Sequence, residues 1–304
     1  MSKLLYKYRN GNVDVELYED GTRICQSEDD EFNFELPLNM DVKISNRCSI
    51  GCSMCHENST PDGDIAPLEN FEFLKSWLPG AEIAFGGGSL TEYDYLEDVL
   101  KLAKENNLIA NCTFHQNEII DHFNEIKKYQ EEGLIHGIGI SFNKPDDSLV
   151  ECVKQLNNVV FHVIAGLTRY KELDYLSRTF DRPKILVLGY KKHTGRGDTL
   201  YKRAHEAIDY EIENLAYNVD YLFLNFKVVS FDNKAIEQLR VNEWISRGQW
   251  NEFYQGDEGT CSMYIDAVKG EFAMNSTSTK RYKLTSDIKE MFKIIKGETK
   301  NGKA

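Results

Sequence analysis

Along the first forty positions polar and apolar residues alternate, and then the pattern changes. Residues 4–8, 13–18 and 22–25 send every second side chain to one face, and Asn10-Gly11 and Asp20-Gly21 separate them. Period-two alternation interrupted by Asn-Gly and Asp-Gly is a hairpin signal. Residues 1–38 are therefore expected to form a small β-meander, serving as a lid or an edge extension. From residue 40 short apolar strands alternate with helical stretches. Strands are expected at 41–45, 82–85, 109–114, 137–142, 159–165 and 184–188, and helices at 68–77, 95–106, 119–132, 148–156, 172–178 and 200–216. That alternation favours a mostly parallel α/β sheet. Beyond it, 220–227 reads as a strand, 233–239 as a helix and 261–273 as a hairpin turning at Lys269-Gly270. A last amphipathic helix is expected over 286–296, capped by Thr285 or Ser286, with 298–304 as a frayed end.

Composition narrows the class. The 304 residues are 41% hydrophobic and 12% aromatic, which fills a core and argues against disorder. Thirty-six basic residues stand against 49 acidic ones, a net charge of −13. Such a surface disfavours nucleic acid or an anionic membrane as the main partner. No apolar run reaches the length needed to span a bilayer, and the N-terminal residues show no signal-peptide pattern. Seven cysteines, three of them clustered, point to metal binding in a reducing cytoplasm rather than to disulfides.

The chemistry concentrates in Cys48-Ser-Ile-Gly-Cys52-Ser-Met-Cys55, a C-x3-C-x2-C run directly after the strand at 41–45. Three thiols in one short loop can converge on a soft metal. A structural zinc site completed by His56 or a distant histidine is one reading, and it needs a fourth ligand that no second C-x2-C pair supplies. A four-iron cluster held by three cysteines leaves one iron open for chemistry. Downstream, Ala81-Glu-Ile-Ala-Phe-Gly86-Gly87-Gly88-Ser89-Leu90 ends the second strand in a glycine run, which alone would mark only a tight turn. His115, His136, His162 and His193 are scattered, and Cys25, Cys112, Cys152 and Cys261 lack ligand spacing. A single metal centre is expected.

The cysteine spacing after a first strand, together with the glycine run after a second, resembles the radical S-adenosylmethionine (radical SAM) superfamily of the C-x3-C-x2-C type. The resemblance implies a partial (β/α)6 TIM-like barrel over 39–217, with the β extension 1–38 before it and an α+β, substrate-side extension over 218–304 after it. By the same resemblance Cys48, Cys52 and Cys55 hold a [4Fe–4S] cluster, and Met54 lies near the adenine of S-adenosylmethionine (SAM). Gly86, Gly87, Gly88 and Ser89 stand where the family holds the methionine amino group, although its usual Gly-Gly-Glu-Pro is Gly-Gly-Gly-Ser here. Ser141, at the end of the fourth strand, corresponds to a residue contacting the ribose or carboxylate. Ile164 and Gly166 match two positions of the family's G-x-I-x-G-x-x-E segment bordering the adenine. Lys191, Lys192 and Arg196 are candidates for the SAM carboxylate or an anionic substrate. Gln116, Asn117 and Asn143 end the third and fourth strands and are expected to face the cofactor. Asp232, Asn233 and Asp266 lie in the C-terminal part, where the resemblance implies substrate-binding elements, and surface or turn roles are expected for them.

The implied reaction is reductive cleavage of SAM to methionine and a 5′-deoxyadenosyl radical, which removes hydrogen from a substrate. A low-potential donor such as flavodoxin or ferredoxin would supply the electron. A peptide or protein side chain is slightly favoured as substrate. The alternatives are a small molecule or nucleotide, or activation of a glycyl-radical enzyme. A non-catalytic iron–sulfur or zinc module predicts no SAM cleavage.

Overall fold

Two sheets carry the chain, and the computed structural model describes residues 2–29 and 31–301. The first sheet is the expected meander, three antiparallel strands β1 (Leu4–Asn10), β2 (Val13–Tyr18) and β3 (Arg23–Gln26) in sequence order. Its buried face is the alternating run Val13, Val15 and Leu17.

The second sheet has ten strands: β4 (Asn39–Ser45), β5 (Glu82–Gly87), β6 (Ile109–His115), β7 (Gly137–Ser141), β8 (Val159–Ile164), β9 (Lys184–Leu188), β10 (Val228–Phe231), β11 (Ser262–Asp266), β12 (Glu271–Ala273) and β13 (Tyr282–Lys283). Their spatial order is β10-β9-β8-β7-β6-β5-β4-β11-β12-β13. From β10 to β11 every neighbouring pair is parallel, and β12 and β13 are antiparallel. The segment after residue 218 thus adds one strand, β10, at one side of the central six and three, β11, β12 and β13, at the other. The helices are α1 (Leu96–Glu105), α2 (Gln116–Asp121), α3 (Phe123–Glu131), α4 (Asp147–Val153), α5 (Tyr170–Thr179), α6 (Gly195–Tyr217), α7 (Val219–Asn225), α8 (Asn233–Leu239), α9 (Arg247–Phe253) and α10 (Ile288–Asn301). Among the described residues none is long and apolar enough to cross a membrane.

Several expectations change in detail. Residues 68–76 form 3-10 turns rather than an α-helix. The helix expected over 119–132 is broken at His122 into α2 and α3. The strand expected over 220–227 is the helix α7. Val219, Leu222 and Phe226 are buried at helical spacing while Leu224 is 70% exposed. A short apolar run does not by itself declare its period. The last helix extends to Asn301, and residues 302–304 of the expected frayed end lie outside the described residues.

Alternation along the central strands gives the sheet two unlike faces. Met40, Val42 and Ile44 of β4 are buried under the helices, as are Ile83 and Phe85 of β5. Burying each such side chain contributes about 1.5–3 kcal/mol. The other face carries Asp41, Lys43 and Ser45 of β4, Thr113 of β6, His162 of β8, and Tyr264 and Asp266 of β11, paired in register as Tyr264 to Asp41 and Asp266 to Lys43. This polar face is concave. Lys191, just after β9, places Nζ 3.2 Å from His56 Nε2, in the loop after β4. Those strands are five ladder spacings apart, roughly 24 Å on a flat sheet, so the sheet curls. It stays open, with β10 and β13 as its edge strands.

The meander lies across the lower, N-terminal ends of the parallel strands. Arg23 Nη1 donates to Glu82 Oε2 at 2.8 Å, Lys184 Nζ donates to the Asp20 carbonyl, and His136 Nε2 lies 3.1 Å from the Glu19 carbonyl. The β2–β3 turn thereby touches β9 and the approach to β7, and the first residue of β3 touches β5.

Candidate active site

The upper, C-terminal ends of the strands carry the cysteine loop. It leaves β4 at Ser45 and is pinned at its base by main-chain bonds from Cys48 N to Thr60 O (2.9 Å), Thr60 N to Asn46 O (3.0 Å) and Asn46 N to Asp64 O (2.8 Å). Ser49 N and Oγ both donate to Glu92 Oε1, at 3.0 and 2.7 Å. Within this arc the thiols sense one another. Burial pushes the Cys52 thiol up first, and Cys48 and Cys55 add to it, against the opposing charge of Arg196. Burial also raises Cys48, although the N–H groups of Ile50 and Gly51 point at its sulfur and favour the thiolate. Among the described residues no three His, Cys, Asp or Glu side chains already form a ligand set. Cluster loading would therefore have to rotate the thiols together and release their protons.

The glycine run packs onto this loop. Gly88 N donates to Ser45 O at 2.6 Å and Ser89 N to Arg47 O at 2.8 Å. A Cβ at Gly88 would stand 2.2 Å from Arg47 O, and one at Gly87 (φ +119°) 2.6 Å from Ser45 O, so both positions exclude a side chain. A Cβ at Gly86 would meet nothing within 4 Å. Of the four residues of the glycine run carried over for the methionine amino group, Gly86 faces open space and Gly87 and Gly88 serve close backbone approach. Ser89 is buried, its Oγ donating to Glu118 Oε1 at 2.8 Å.

Glu118 was not singled out by sequence. Its carboxylate also accepts from Thr91 N (3.1 Å) and His115 N (2.8 Å), tying the glycine turn to the end of β6. Gln116 is buried and accepts from Asn143 N and Lys144 N at 2.7 and 3.0 Å, joining the ends of β6 and β7 beside Ser141. Ile164 pairs with Leu188 on the concave side of β8 and β9. Gly166 faces elsewhere: its missing side chain makes room for Ile208 and Ile212 of α6.

After β9 the chain returns to the cysteines. Lys191 reaches His56 and donates to Ser276 Oγ at 2.9 Å. Lys192 is drawn away to Asp209 (2.7 Å) and Tyr201. Arg196 binds loop carbonyls, Nε to Cys52 O at 2.8 Å and Nη1 to Ser59 O at 2.7 Å. Met54 is half-buried, and its carbonyl lies against Gly197. Beneath the loop a buried charge cluster forms: Lys43 Nζ is 2.7 Å from Glu57 and 3.3 Å from Asp266, with side-chain exposures of 5%, 14% and 6%. Burial raises the Glu57 carboxyl, but His56 and Lys43 outweigh it and hold it well below the usual carboxylate range. Burial and the charge of Lys191 keep His56 low, so Lys43 is the cation that matters to Glu57. Asp232 accepts from Gly189 N (2.9 Å) and Ala235 N (2.7 Å), capping α8, and burial raises its carboxyl nonetheless. Asp41 meets solvent inside the concavity while protein walls surround it, and its carboxyl is raised by that desolvation.

Unpartnered polar atoms collect around the loop. Of nine buried side-chain N or O atoms without a hydrogen bond among the described residues, four are Asn46 Oδ1, Ser59 Oγ, Thr194 Oγ1 and Arg196 Nη2. Orphaned polar groups are costly, about 1–3 kcal/mol each. Their concentration beside three thiols, with backbone N–H groups aimed at Cys48, fits a polar, sulfur-rich group seated on this loop.

No protein-family model matches the chain. Among curated proteins, the 7,8-dihydro-6-hydroxymethylpterin dimethyltransferase of Methanocaldococcus jannaschii is 26% identical over 102 residues, 31% of this chain and 20% of that protein. The chain thus matches about a fifth of the length of that curated relative. Among solved structures, Streptococcus suis SuiB bound to precursor peptide SuiA aligns with a TM-score of 0.62 and 14% identity, over 88% of this chain and 67% of that one. SuiB bound to S-adenosylmethionine aligns at 0.57 and 13%, over 88% and 68%. Likeness at these identities shows a shared fold.

Proposed function

We propose that this chain is a radical SAM enzyme whose partial barrel, residues 39–217, presents a [4Fe–4S] cluster and SAM at the upper end of its strands. The observation that carries the reading is the cysteine loop itself. Cys48, Cys52 and Cys55 sit on the glycine run of the adjacent strand, ringed by polar atoms that lack partners. The fold shared with SAM-bound SuiB supports the same reading. Cys48, Cys52 and Cys55 would hold the cluster as thiolates, and Gly86 gives the cofactor's methionine end unobstructed backbone. Bound there, a cluster and SAM would together supply one-electron, reductive cleavage chemistry at the sulfonium.

The remaining work belongs to the protein. The close contact of Gly88 with Ser45 and Arg47 fixes the cofactor loop relative to the cysteines. Ser141, Ile164 and Lys191 border the space above the strands, and the C-terminal extension, described as far as residue 301, would close it on the substrate side. The concave face, with Asp41, Thr113, His162 and Tyr264, offers a polar floor for the hydrogen donor. A peptide or protein side chain is the favoured substrate: the likeness to peptide-bound SuiB runs through 88% of the chain, the match to the pterin enzyme through 31%. The electron comes from a flavodoxin or ferredoxin, and the reaction belongs to a reducing cytoplasm.

The test is anaerobic reconstitution with iron and sulfide, reduction with dithionite, and mass spectrometry for 5′-deoxyadenosine after adding SAM. The wild type should form it, and Cys52→Ala should bring the yield to background. A protein that takes up zinc but no four-iron cluster under any loading overturns the reading.

A further inference from the structure

The turn between β9 and α6 crosses the open side of the curled sheet and grips the cysteine loop through one residue. Arg196 N donates to Cys55 O at 2.9 Å, Nε to Cys52 O at 2.8 Å and Nη1 to Ser59 O at 2.7 Å. The preceding Gly195 (φ +52°) makes that approach possible, because a Cβ there would lie 2.5 Å from both Cys55 O and His56 O. Tyr190 OH, bonded to Gly197 O at 2.8 Å, braces the same turn from below. A single side chain therefore spans the arc from Cys52 to Ser59.

Two features go beyond bracing. The partners of Nε and Nη1 are neutral carbonyls, which leave the positive charge of the guanidinium uncancelled. Nη2 is buried and makes no hydrogen bond. A solvated surface arginine would hold this nitrogen in water, and a purely structural one would aim it at a third acceptor. The arginine fork is planar and rigid, so fixing two nitrogens fixes the third as well.

We propose that Arg196 is a positioning residue of the metal centre, holding the Cys52–Ser59 arc in shape and presenting its spare Nη2–H and its charge to the sulfur of a cluster bound by Cys48, Cys52 and Cys55. The proposal rests on the iron–sulfur reading above. A hydrogen bond and a cation beside cluster sulfur stabilise the more negative, reduced state, and so raise the reduction potential. Lysine keeps the charge and loses the fork. Glutamine keeps an amide donor and loses the charge.

Wild type, Arg196→Lys and Arg196→Gln are compared in two ways. Amide hydrogen exchange is followed in the metal-free proteins, and the reduced cluster is titrated potentiometrically with electron paramagnetic resonance detection in the reconstituted ones. Exchange over residues 48–60 should quicken about tenfold in both variants while the rest of the sheet keeps its protection. The midpoint should move to more negative potential in Arg196→Gln and stay near wild type in Arg196→Lys. Variants that fail to load a cluster while the sheet remains protected also support the assignment. A glutamine variant with the wild-type potential overturns the charge role, and unchanged exchange in the loop overturns the brace. Loss of protection throughout the sheet makes Arg196 a residue of the fold rather than of the centre. If the wild type itself holds no four-iron cluster, the proposed function fails and this inference with it, whereas a loaded wild type with indifferent variants refutes this inference alone.

Discussion

At the lower end of the sheet the buried polar groups mostly meet partners within the chain, and at the upper end several polar atoms do not. Below, Arg23 binds Glu82 and Gln255, Lys184 binds the Asp20 carbonyl and Asn158, and His136 meets the Glu19 carbonyl. Among the described residues, Arg23 Nε is the unpartnered buried atom of this group, against four around the cysteine loop. Both ends are built from loops over the ends of parallel strands, yet one is closed by the chain's own meander and the other is left chemically incomplete. Ligands in open α/β sheets bind outside the carboxyl ends of the strands, and the distribution of satisfied polar groups follows that division.

The comparison is broken most severely at Lys43, which neutralises two buried carboxylates beneath the cysteine loop. Lys43→Met should cost about 3–5 kcal/mol, because Glu57 and Asp266 would be left as buried unpaired charges. Urea unfolding of the metal-free protein measures it. Adding Glu57→Gln and Asp266→Asn should restore most of the loss, and a triple variant as unstable as the single one would show that packing, not charge, is at work.

Next comes Gly88→Ala. The added methyl meets the main-chain oxygen of Arg47, which cannot swing aside, so the glycine turn and the cysteine loop must separate. A loss of about 1–3 kcal/mol is expected, together with a fall in iron bound per chain on reconstitution. Full iron content would sever the proposed link between the two loops. The lower-end counterpart is Arg23→Met. It leaves Glu82 without its ion pair, at side-chain exposures of 16% for both, and should cost about 1–2 kcal/mol. Iron loading should not change. Equal loss of iron from both variants would erase the distinction between the ends.

The sequence made the upper end legible to different depths. The C-x3-C-x2-C run and the glycines announced themselves because their chemistry depends on residue type and short spacing. The parallel strands were legible through apolar runs bounded by turns, and the meander through Asn10-Gly11 and Asp20-Gly21. Helix α7 was missed because Tyr221 to Leu224 is an unbroken apolar run and only the burial of Val219, Leu222 and Phe226 reveals the helical period. The Lys43–Glu57–Asp266 cluster was invisible, since Lys43 and Asp266 lie 223 positions apart and meet only through the β4–β11 pairing. Glu118 and the grip of Arg196 on Cys52 depend likewise on how the sheet curls, which no local pattern encodes.

The smallest expected effect tests the concave floor between the two ends. His162 stands on β8 with its ring against Gly139, where a Cβ would lie 2.6 Å from Cε1. Burial holds its pKa down to about 4, against an ordinary value of about 6.5 in the unfolded chain. Above the unfolded value both states are neutral and the histidine adds no pH dependence. As pH falls from about 6.5 towards 4 the unfolded chain takes up a proton that the folded protein refuses, so stability is lost across that window. Water in the concavity discounts the full linkage to about 1–2 kcal/mol. Urea midpoints at pH 7 and pH 4.5 should therefore diverge more in wild type than in His162→Gln, where the group no longer titrates. If both proteins lose the same stability between those pH values, His162 is hydrated and the concave face is wetter than its walls imply. A smaller loss in the glutamine variant marks the floor as a place where protein, not water, sets the charge a substrate would meet.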